Sequence, residues 1–482
     1  MRNFIFAMAV SLLAFGDIHV RDFGAKGDGR TDDTQAVVAA FDRLKSEGGV
    51  LKFAPGKYVF KGLLKVAGLS NSVVDFSGAT LLNAEQKGSF HFDKCEGLTI
   101  RGGILTYMEM PFKGNFSEEH PIYVTDSKNV RIEGVHVLGS VFMGIAVNHC
   151  NYVWVVNCRL ERILRDGIHF VHSQDITCTG NHVFQASDDA IALIDYGHGK
   201  AQRTIRAIVA NNIIRETYAG MSCVGAQDVI FQGNHVERTI LSGCQVTTND
   251  RFARPADGAG CTRVARVKVI GNRFVENCRD LELNGVKIKA NGQASTGAAA
   301  IVVAYIDFKE GWVRDGDKFF TRMGYKFTRT EQGELMADAS LSEELFPGRV
   351  LSIGGKSASV TSAKVTAKGI QFGIDQEIPE GVETFELGRI LTDVDIVDNE
   401  VIRSYACGLA MYGTYRARII NNRFFNCNSY DTQWTQTILG VMGGQDVEIL
   451  GNWIHDNRDP NLHRHPLHVS ARNARVEGNR VE

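Results

Sequence analysis

Short segments in which apolar and polar residues alternate recur along most of the chain. Each is followed by Asn or Gly and then by a second apolar–polar–apolar stretch, as in VWVVNCRL around Asn157, ITCTGNHV around Asn181 and VIFQGNHV around Asn234. Strict alternation is the pattern of a half-buried β-strand and not of a helix. The same unit recurs at Asn212, Asn272, Asn399, Asn422, Asn452 and Asn479, with Gly103 and Gly134 in the equivalent place.

The spacing of these units identifies the architecture. Neighbouring units are most often 22 to 24 residues apart, as between Asn157 and Asn181. This period is too short for a propeller blade, and the fixed leucines of leucine-rich repeats are missing. We therefore predict an all-β fold, a right-handed parallel β-helix whose coils carry three short strands each and stack about 4.8 Å apart. The recurring Asn predicts a side-chain ladder along the axis, at a bend where Asn tolerates the left-handed conformation.

Two regions depart from this repeat. Residues 1–16 begin with Met1-Arg2-Asn3, continue with a twelve-residue apolar run and end at small residues, which predicts a signal peptide and a secreted or periplasmic protein. Residues 305–390 lack the Asn repeat and are richer in charge, with short alternating strands near Gly-Gly and Pro-Gly turns. We expect a small β-domain there, inserted between a β-helix over 17–304 and further coils over 391–482. It either helps to bind substrate or seals one face.

The composition and charge of the chain limit the classes of partner that it could bind. The chain has 482 residues, with 53 Lys+Arg against 55 Asp+Glu, so it carries no basic surface typical of nucleic-acid binding or of a polybasic membrane tether. No segment is long and apolar enough to span a membrane. The 50 Gly and 8 Pro suit strands joined by tight turns. The ten Cys include no C-x-x-C pair, so most are expected as small buried residues, and disulfides and oligomeric state are not assigned.

The N-terminal segment from His19 to Gly62 contains four motifs in order, which are DFGA, GDG, TDDT and PGKY. This segment resembles the start of parallel β-helices in the pectate-lyase superfamily. A helix with Val37, Ala40, Phe41 and Leu44 on its apolar face would cover the open end of the solenoid. We expect Thr31 or Asp32 to cap this helix, so the Asp32-Asp33 pair is interpreted as capping and not as catalytic.

A second group of aspartates lies within the coils. Asp166 precedes Asp188 and Asp189 by 22 and 23 residues, which is one repeat. The three carboxylates should therefore lie on neighbouring coils at nearly the same angle. Like charges at short range raise at least one pKa, and this provides the acid and the base that hydrolysis of a glycosidic bond requires. Capping of turns or binding of Ca²⁺ is the alternative use of such residues.

The arrangement Asp-Gly followed one coil later by Asp-Asp is similar to the catalytic centre of polygalacturonase-type inverting glycosidases and of α-1,3-galactosidases. The resemblance implies that Asp166, Asp188 and Asp189 divide the acid and base roles, without saying which is which. Two family motifs are missing, because YAGM replaces Gly-His-Gly at 218–221 and GCQV replaces the uronate-binding Arg-x-Lys at 243–246. We therefore expect a neutral sugar at least as much as pectin. No metal is required, and Ca²⁺ is the one cofactor left open.

Other residues near these motifs are candidates for substrate binding. Histidines would orient the sugar, tyrosines would stack on it and an arginine would bind an acidic group, although each is also a common packing or surface residue. The candidates are His169, Asp195, Tyr196, His198, Arg251 and Tyr412.

The sequence thus predicts a secreted glycoside hydrolase that inverts the anomeric configuration of a poly- or oligosaccharide by means of three aspartates. A polysaccharide lyase or uronate epimerase is one alternative, since Arg162, Arg165 and Lys200 lie close in sequence to the acidic residues. A non-catalytic glycan-binding β-helix is the other.

Overall fold

The computed structural model describes most of the chain. The described ranges are 16–112, 119–195, 203–249, 263–290, 299–307, 311–312, 323–330, 333–342, 344–387, 391–428, 437–458 and 465–482. The predicted signal peptide, apart from Gly16, lies outside them, so it stays a prediction. Within the described residues, no helix is long and apolar enough to cross a membrane.

Each coil of the described chain adds one strand to each of three long parallel sheets, as the repeat predicts. Sheet 1 consists of Asp17–His19, Gly49–Lys52, Ser70–Asp75, Glu96–Arg101, Lys128–Glu133, Asn151–Val156, Gln174–Thr179, Ile205–Ala210, Gln227–Gln232, Val264–Ile270, Leu391–Val397, Thr414–Ile420, Gln445–Leu450 and Arg475–Glu477. Sheet 2 consists of Asp28–Asp32, Gly56–Phe60, Ala79–Asn83, Ile104–Tyr107, His136–Leu138, Arg159–Ile163, His182–Ala186, Ile213–Thr217, His235–Thr239, Arg273–Val275, Glu400–Ile402, Arg423–Phe425, Trp453–His455 and Arg480–Val481. Sheet 3 consists of Leu64–Ala67, Phe90–Asp93, Ile122–Thr125, Ile145–Asn148, Ile168–Val171, Asp189–Ile194, Ala219–Val224, Cys244–Asn249, Ala299–Asp307, Cys407–Tyr412, Leu439–Met442 and Leu467–Val469, with Gly311–Trp312 antiparallel to Ala299–Asp307.

The alternating pattern is the reason that the solenoid has one continuous core. In sheet 3, Ile145 pairs with Ile168 and Ile168 with Ile191, and all three side chains are fully buried. The residue after each one points to the other face of the sheet. This second face carries His169 and, on the next coil, Ala192. The nine described cysteines are free and buried, as expected of packing residues.

The predicted asparagine ladder is present. From Asn181 to Asn479 each side-chain amide donates to the amide oxygen of the next coil's asparagine, at 2.8 to 3.0 Å. Asn157 was wrongly included, because Cys158 occupies the ladder position on its coil and donates its N–H to Asn181. Asn157 has φ 54° and directly precedes the ladder position at Cys158. On the next coil, Gly180 has φ 68° and directly precedes Asn181 in the same way. The left-handed residue and the ladder residue are thus consecutive positions.

The N-terminal helix Thr34–Glu47 follows a short 3₁₀ helix, Val20–Phe23, and buries the four apolar residues predicted for its inner face. The predicted cap was wrong by one position, because Asp33 is the N-cap residue. Its carboxylate accepts hydrogen bonds from the backbone of Lys26 and Gly27 instead of capping the helix. Asp32 accepts the N–H of Thr34 at 3.0 Å. Both carboxylates therefore serve local structure.

Two additions project from the coils. One is a hairpin, Leu281–Leu283 with Val286–Ile288. The other lies between two sheet strands of the solenoid and has its own apolar core, seven antiparallel strands in the described residues and a 3₁₀ turn at Ala339–Leu341. These strands are Met323–Lys326, Thr328–Arg329, Leu335–Ala337, Val350–Ile353, Lys356–Thr366, Gly369–Ile374 and Thr384–Leu387. On either side of this inserted domain, Val264–Ile270 pairs in register with Leu391–Val397, so the solenoid continues unbroken.

We predict that the ladder is a major source of stability. Asn212 donates to Asn234 and to the Cys178 carbonyl, and its oxygen accepts two hydrogen bonds from Asn181. Asn212→Ala leaves these buried groups unpaired and should lower the free energy of unfolding by about 3 kcal/mol, measured by urea denaturation. Asn211→Gly is the matched control, since Asn211 has φ 55° and glycine occupies this position on other coils. Equal stability of the two variants would show that the ladder contributes little.

Candidate active site

The turns that lead from sheet 2 into sheet 3 place the three aspartates. Asp166 lies between the strands Arg159–Ile163 and Ile168–Val171, whereas Asp188 and Asp189 occupy the same turn one coil later. Gly167 permits the two turns to approach closely, because a Cβ there would lie 2.5 Å from the Ala190 carbonyl oxygen. The predicted placement on neighbouring coils is thus present in the structure.

The three carboxylates form one cluster. One oxygen of each lies within 4.8 Å of the others. The Asp189 N–H donates to Asp166 Oδ1 at 3.2 Å, and the Gly167 N–H donates back to the Asp189 carbonyl at 2.9 Å. Backbone hydrogen bonds between coils therefore fix the spacing of the carboxylates before any ligand binds.

Burial and mutual repulsion favour protonation of this cluster. Burial raises the pKa of Asp188 to about 7, and the nearby Asp166 adds to the effect. Burial also raises the pKa of Asp189 well above its ordinary value, helped by the charges of Asp188 and Asp166 and opposed by the Ser222 hydroxyl. Two adjacent carboxyl groups are therefore poised to share protons near neutral pH.

Arg165 connects the cluster to solvent. Its Nη1 lies 3.1 Å from Asp188 Oδ2, and its side chain is 47% exposed while that of Asp188 is 28% exposed. The guanidinium also lies 5.8 Å from the centre of the Phe142 ring. Arg165 thus favours the ionised form of Asp188.

His169 holds Asp166 in place. Its Nδ1 lies 2.6 Å from Asp166 Oδ2, and both side chains are buried. The structure brings this predicted residue to the three aspartates, but as a partner of a carboxylate. A second buried histidine, His120, interacts electrostatically with both His169 and Asp166.

The hairpin Leu281–Ile288 contacts the turn that carries Asp188 and Asp189. These two residues and Asp166 are called the trio from here on. At the tip of the hairpin, the Asn284 side chain donates to the Ile163 and Gln185 carbonyls and to the Ser187 hydroxyl, at 2.9 to 3.2 Å. Ser187 directly precedes Asp188, so the hairpin stabilises the turn that carries the aspartate pair.

Two predicted substrate-binding residues lie elsewhere. Asp195 follows the far end of the strand Asp189–Ile194, is buried and forms an ion pair with Arg203. Tyr412 is buried on a sheet 3 strand four positions beyond that strand, about 19 Å along the axis. Neither residue lies beside the three aspartates, because nearness in sequence, or a tyrosine in a coil, does not specify the coil or the face. Their part in substrate binding stays a prediction. Tyr196, His198 and Arg251 lie outside the described residues and stay predictions.

Sequence reasoning missed His120 and Asn284. His120 stands in a turn without repeat character, so no pattern in the sequence assigns it to a coil. Asn284 had a usable signal, because Asn284-Gly285 separates two alternating segments, which is a strong hairpin pattern.

The donor set suits acid–base chemistry better than a cation. One oxygen from each of the three carboxylates would fill only three of the six to eight positions that Ca²⁺ usually takes. Arg165 and His169 already contact Asp188 and Asp166, and the guanidinium repels a cation. These contacts fit an acid–base site better than a metal site.

Comparisons with known proteins agree with this fold. Residues 18–248 match the family model described as rhamnogalacturonase A/epimerase, pectate lyase-like. A polygalacturonase of Arabidopsis thaliana is 29% identical over 206 residues, which are 37% of this chain and 47% of that protein. The chain thus spans about half the length of this curated relative.

Two solved structures cover 96% of the chain, each with a TM-score of 0.56. They are the family 28 exopolygalacturonase of Yersinia enterocolitica, at 14% identity over 78% of that chain, and the catalytic unit of the GH87 α-1,3-glucanase of Streptomyces thermodiastaticus, at 15% identity over 68%. At such identities the likeness establishes the fold. The chain therefore has the fold of a right-handed parallel β-helix, and residues 18–248 are similar to the pectate lyase-like family.

Proposed function

We propose that the protein is a glycoside hydrolase that cleaves a poly- or oligosaccharide with Asp166, Asp188 and Asp189. The observation that carries this proposal is the cluster of three carboxylates, in which the pKa values of Asp188 and Asp189 are raised. The sequence similarity to a polygalacturonase over 206 residues favours hydrolysis over β-elimination.

Asp188 is proposed as the general acid. It is accessible to a leaving-group oxygen, and its pKa of about 7 suits proton donation near neutral pH. After the proton leaves, the Arg165 guanidinium stabilises the carboxylate that remains. While Asp188 holds the proton, its repulsion on Asp189 is absent, so the pKa of Asp189 falls.

Asp166 and Asp189 are proposed to activate water. Asp166 accepts hydrogen bonds from His169 and from the Asp189 N–H, which are suitable partners for a carboxylate. A single water hydrogen-bonded to two oxygens can bridge up to about 5.5 Å, so the compact trio can hold one water between these two residues.

We predict release of the inverted anomer, as the resemblance to inverting glycosidases implies. The test is proton NMR of the product formed first from a panel of neutral and uronic oligosaccharides. Retention would contradict this mechanism and would make one carboxylate a nucleophile. One oxygen from each of the three carboxylates lies within 4.8 Å of the others, which is closer to the separation of about 5 Å typical of retention than to the roughly 6.5–9.5 Å typical of inversion, so the prediction of inversion rests on the resemblance. An unsaturated product that absorbs ultraviolet light would indicate the lyase alternative.

We predict that Asp188→Asn and Asp189→Asn each lower kcat by about a thousandfold, because each removes one proton-transfer group. Asp398→Asn is the matched control, since Asp398 is exposed at the left-handed position where Asn421 stands one coil later. It should leave kcat unchanged. If Asp188→Asn is impaired as general acid, substrates with good leaving groups should recover much of the rate, whereas Asp189→Asn should not respond. Full activity of either variant would remove that residue from the mechanism.

We predict that the trio lowers stability at neutral pH. The folded pKa of Asp188, about 7, lies above its ordinary value of 3.8, so between these pH values the folded state holds a proton that the unfolded chain has lost. This carboxyl group therefore destabilises the fold progressively as pH rises from about 4 to 7. The melting temperature of Asp188→Asn relative to the native protein should be higher at pH 8 than at pH 4. A difference independent of pH would contradict the raised pKa.

A further inference from the structure

The outward face of sheet 3 continues beyond the trio toward the N-terminus. Along one row, His91 pairs with Tyr123, Tyr123 with Ala146 and Ala146 with His169. Tyr123 therefore lies two coils, about 10 Å, from the histidine that holds Asp166. Ala146, which is buried, lies between them.

Aromatic rings form a rigid cluster in this region. The His120 ring centre lies 4.7 Å from that of Tyr123 and 5.7 Å from that of Phe142. Tyr123 in turn stacks on His91 at 4.6 Å. Phe142 contacts Arg165, the ion-pair partner of Asp188, so the cluster adjoins the catalytic carboxylates.

His120 presents an unused acceptor. The Met143 backbone interacts electrostatically with the His120 ring, whereas Nδ1 is buried without a hydrogen-bond partner. Burial lowers the pKa of His120 to about 3, so the ring is neutral near pH 7 and Nδ1 carries a lone pair. A buried acceptor without a donor is costly unless a ligand or water supplies one.

Asn148 presents a second unused acceptor on the same face. Its amide nitrogen donates to the Tyr123 hydroxyl at 3.5 Å, and its Oδ1 is buried without a partner. Asn148 thus contacts Tyr123 through a hydrogen bond and His120 contacts it through ring packing. The acceptor atom of each, Asn148 Oδ1 and His120 Nδ1, lacks a hydrogen donor.

We propose that His120 and, further along the same face, Asn148 bind the hydroxyl groups of a neutral sugar residue in a subsite on the N-terminal side of the trio, an inference that rests on the proposed hydrolysis of a glycan. Sugar hydroxyls donate the hydrogens that these acceptors lack. A uronate carboxylate would only accept hydrogen bonds and would be repelled by the nearby Asp166.

Two substitutions at one position test the proposal. In His120→Gln the side-chain amide can still interact with the Met143 backbone, but the acceptor at Nδ1 is lost. In His120→Asn the side-chain oxygen can take the place of Nδ1. We expect His120→Gln to raise KM for a neutral oligosaccharide about tenfold with little change in kcat, and His120→Asn to recover most of this loss. His182→Gln, at an exposed position on sheet 2, should change neither constant.

Binding must also be measured without turnover. D-galactose, D-glucose and D-galacturonate are titrated into Asp189→Asn protein while the ¹⁵N resonances of the histidine rings are followed by NMR. A neutral sugar should shift the Nδ1 resonance of His120 and bind about tenfold more weakly after His120→Gln, whereas galacturonate should not compete. Equal binding of galacturonate, or no effect of His120→Gln, would overturn the subsite. If the aspartate variants keep full turnover but His120-dependent sugar binding persists, the proposed catalytic trio fails and the subsite stands.

Discussion

Backbone hydrogen bonding between parallel strands of successive coils is the interaction on which the rest of the molecule depends. It fixes the axial step at about 4.8 Å, so residues one repeat apart in sequence become neighbours in space. The same step stacks Ile145, Ile168 and Ile191 in the core and aligns the asparagine ladder. It also brings Asp166 beside Asp188 and Asp189, although their mutual repulsion opposes this arrangement.

The trio is therefore sustained by its surroundings. Hydrogen bonds from the Asp189 backbone and from His169 satisfy Asp166, and Arg165 offsets charge on Asp188. The hairpin holds the adjoining turn through Asn284. A site of this kind is preorganised, because the cost of gathering like charges is met by the fold and not by the substrate.

Periodicity explains what the sequence could predict. Because the step between coils is regular, spacing alone predicted the fold, the ladder and the meeting of three distant aspartates. It could not distinguish Asn157 from the ladder position at Cys158, since the left-handed bend and the ladder residue are consecutive and both accept asparagine. Spacing could not place side chains in turns outside the repeat, such as His120, because turn conformations do not recur at a fixed period. Tyr412 lies on a regular strand and Asp195 directly follows one, but their burial depends on neighbouring coils and turns.

The inserted domain departs from the solenoid and returns to it without disturbing the register. Asn272 donates to Asn399 across a separation of 127 residues with the same geometry as between adjacent repeats. The strand pairing and the asparagine ladder of the solenoid therefore continue past the insertion without passing through the domain. Unfolding of the domain need not propagate into the coils, so the two are expected to behave as separate cooperative units within a single chain.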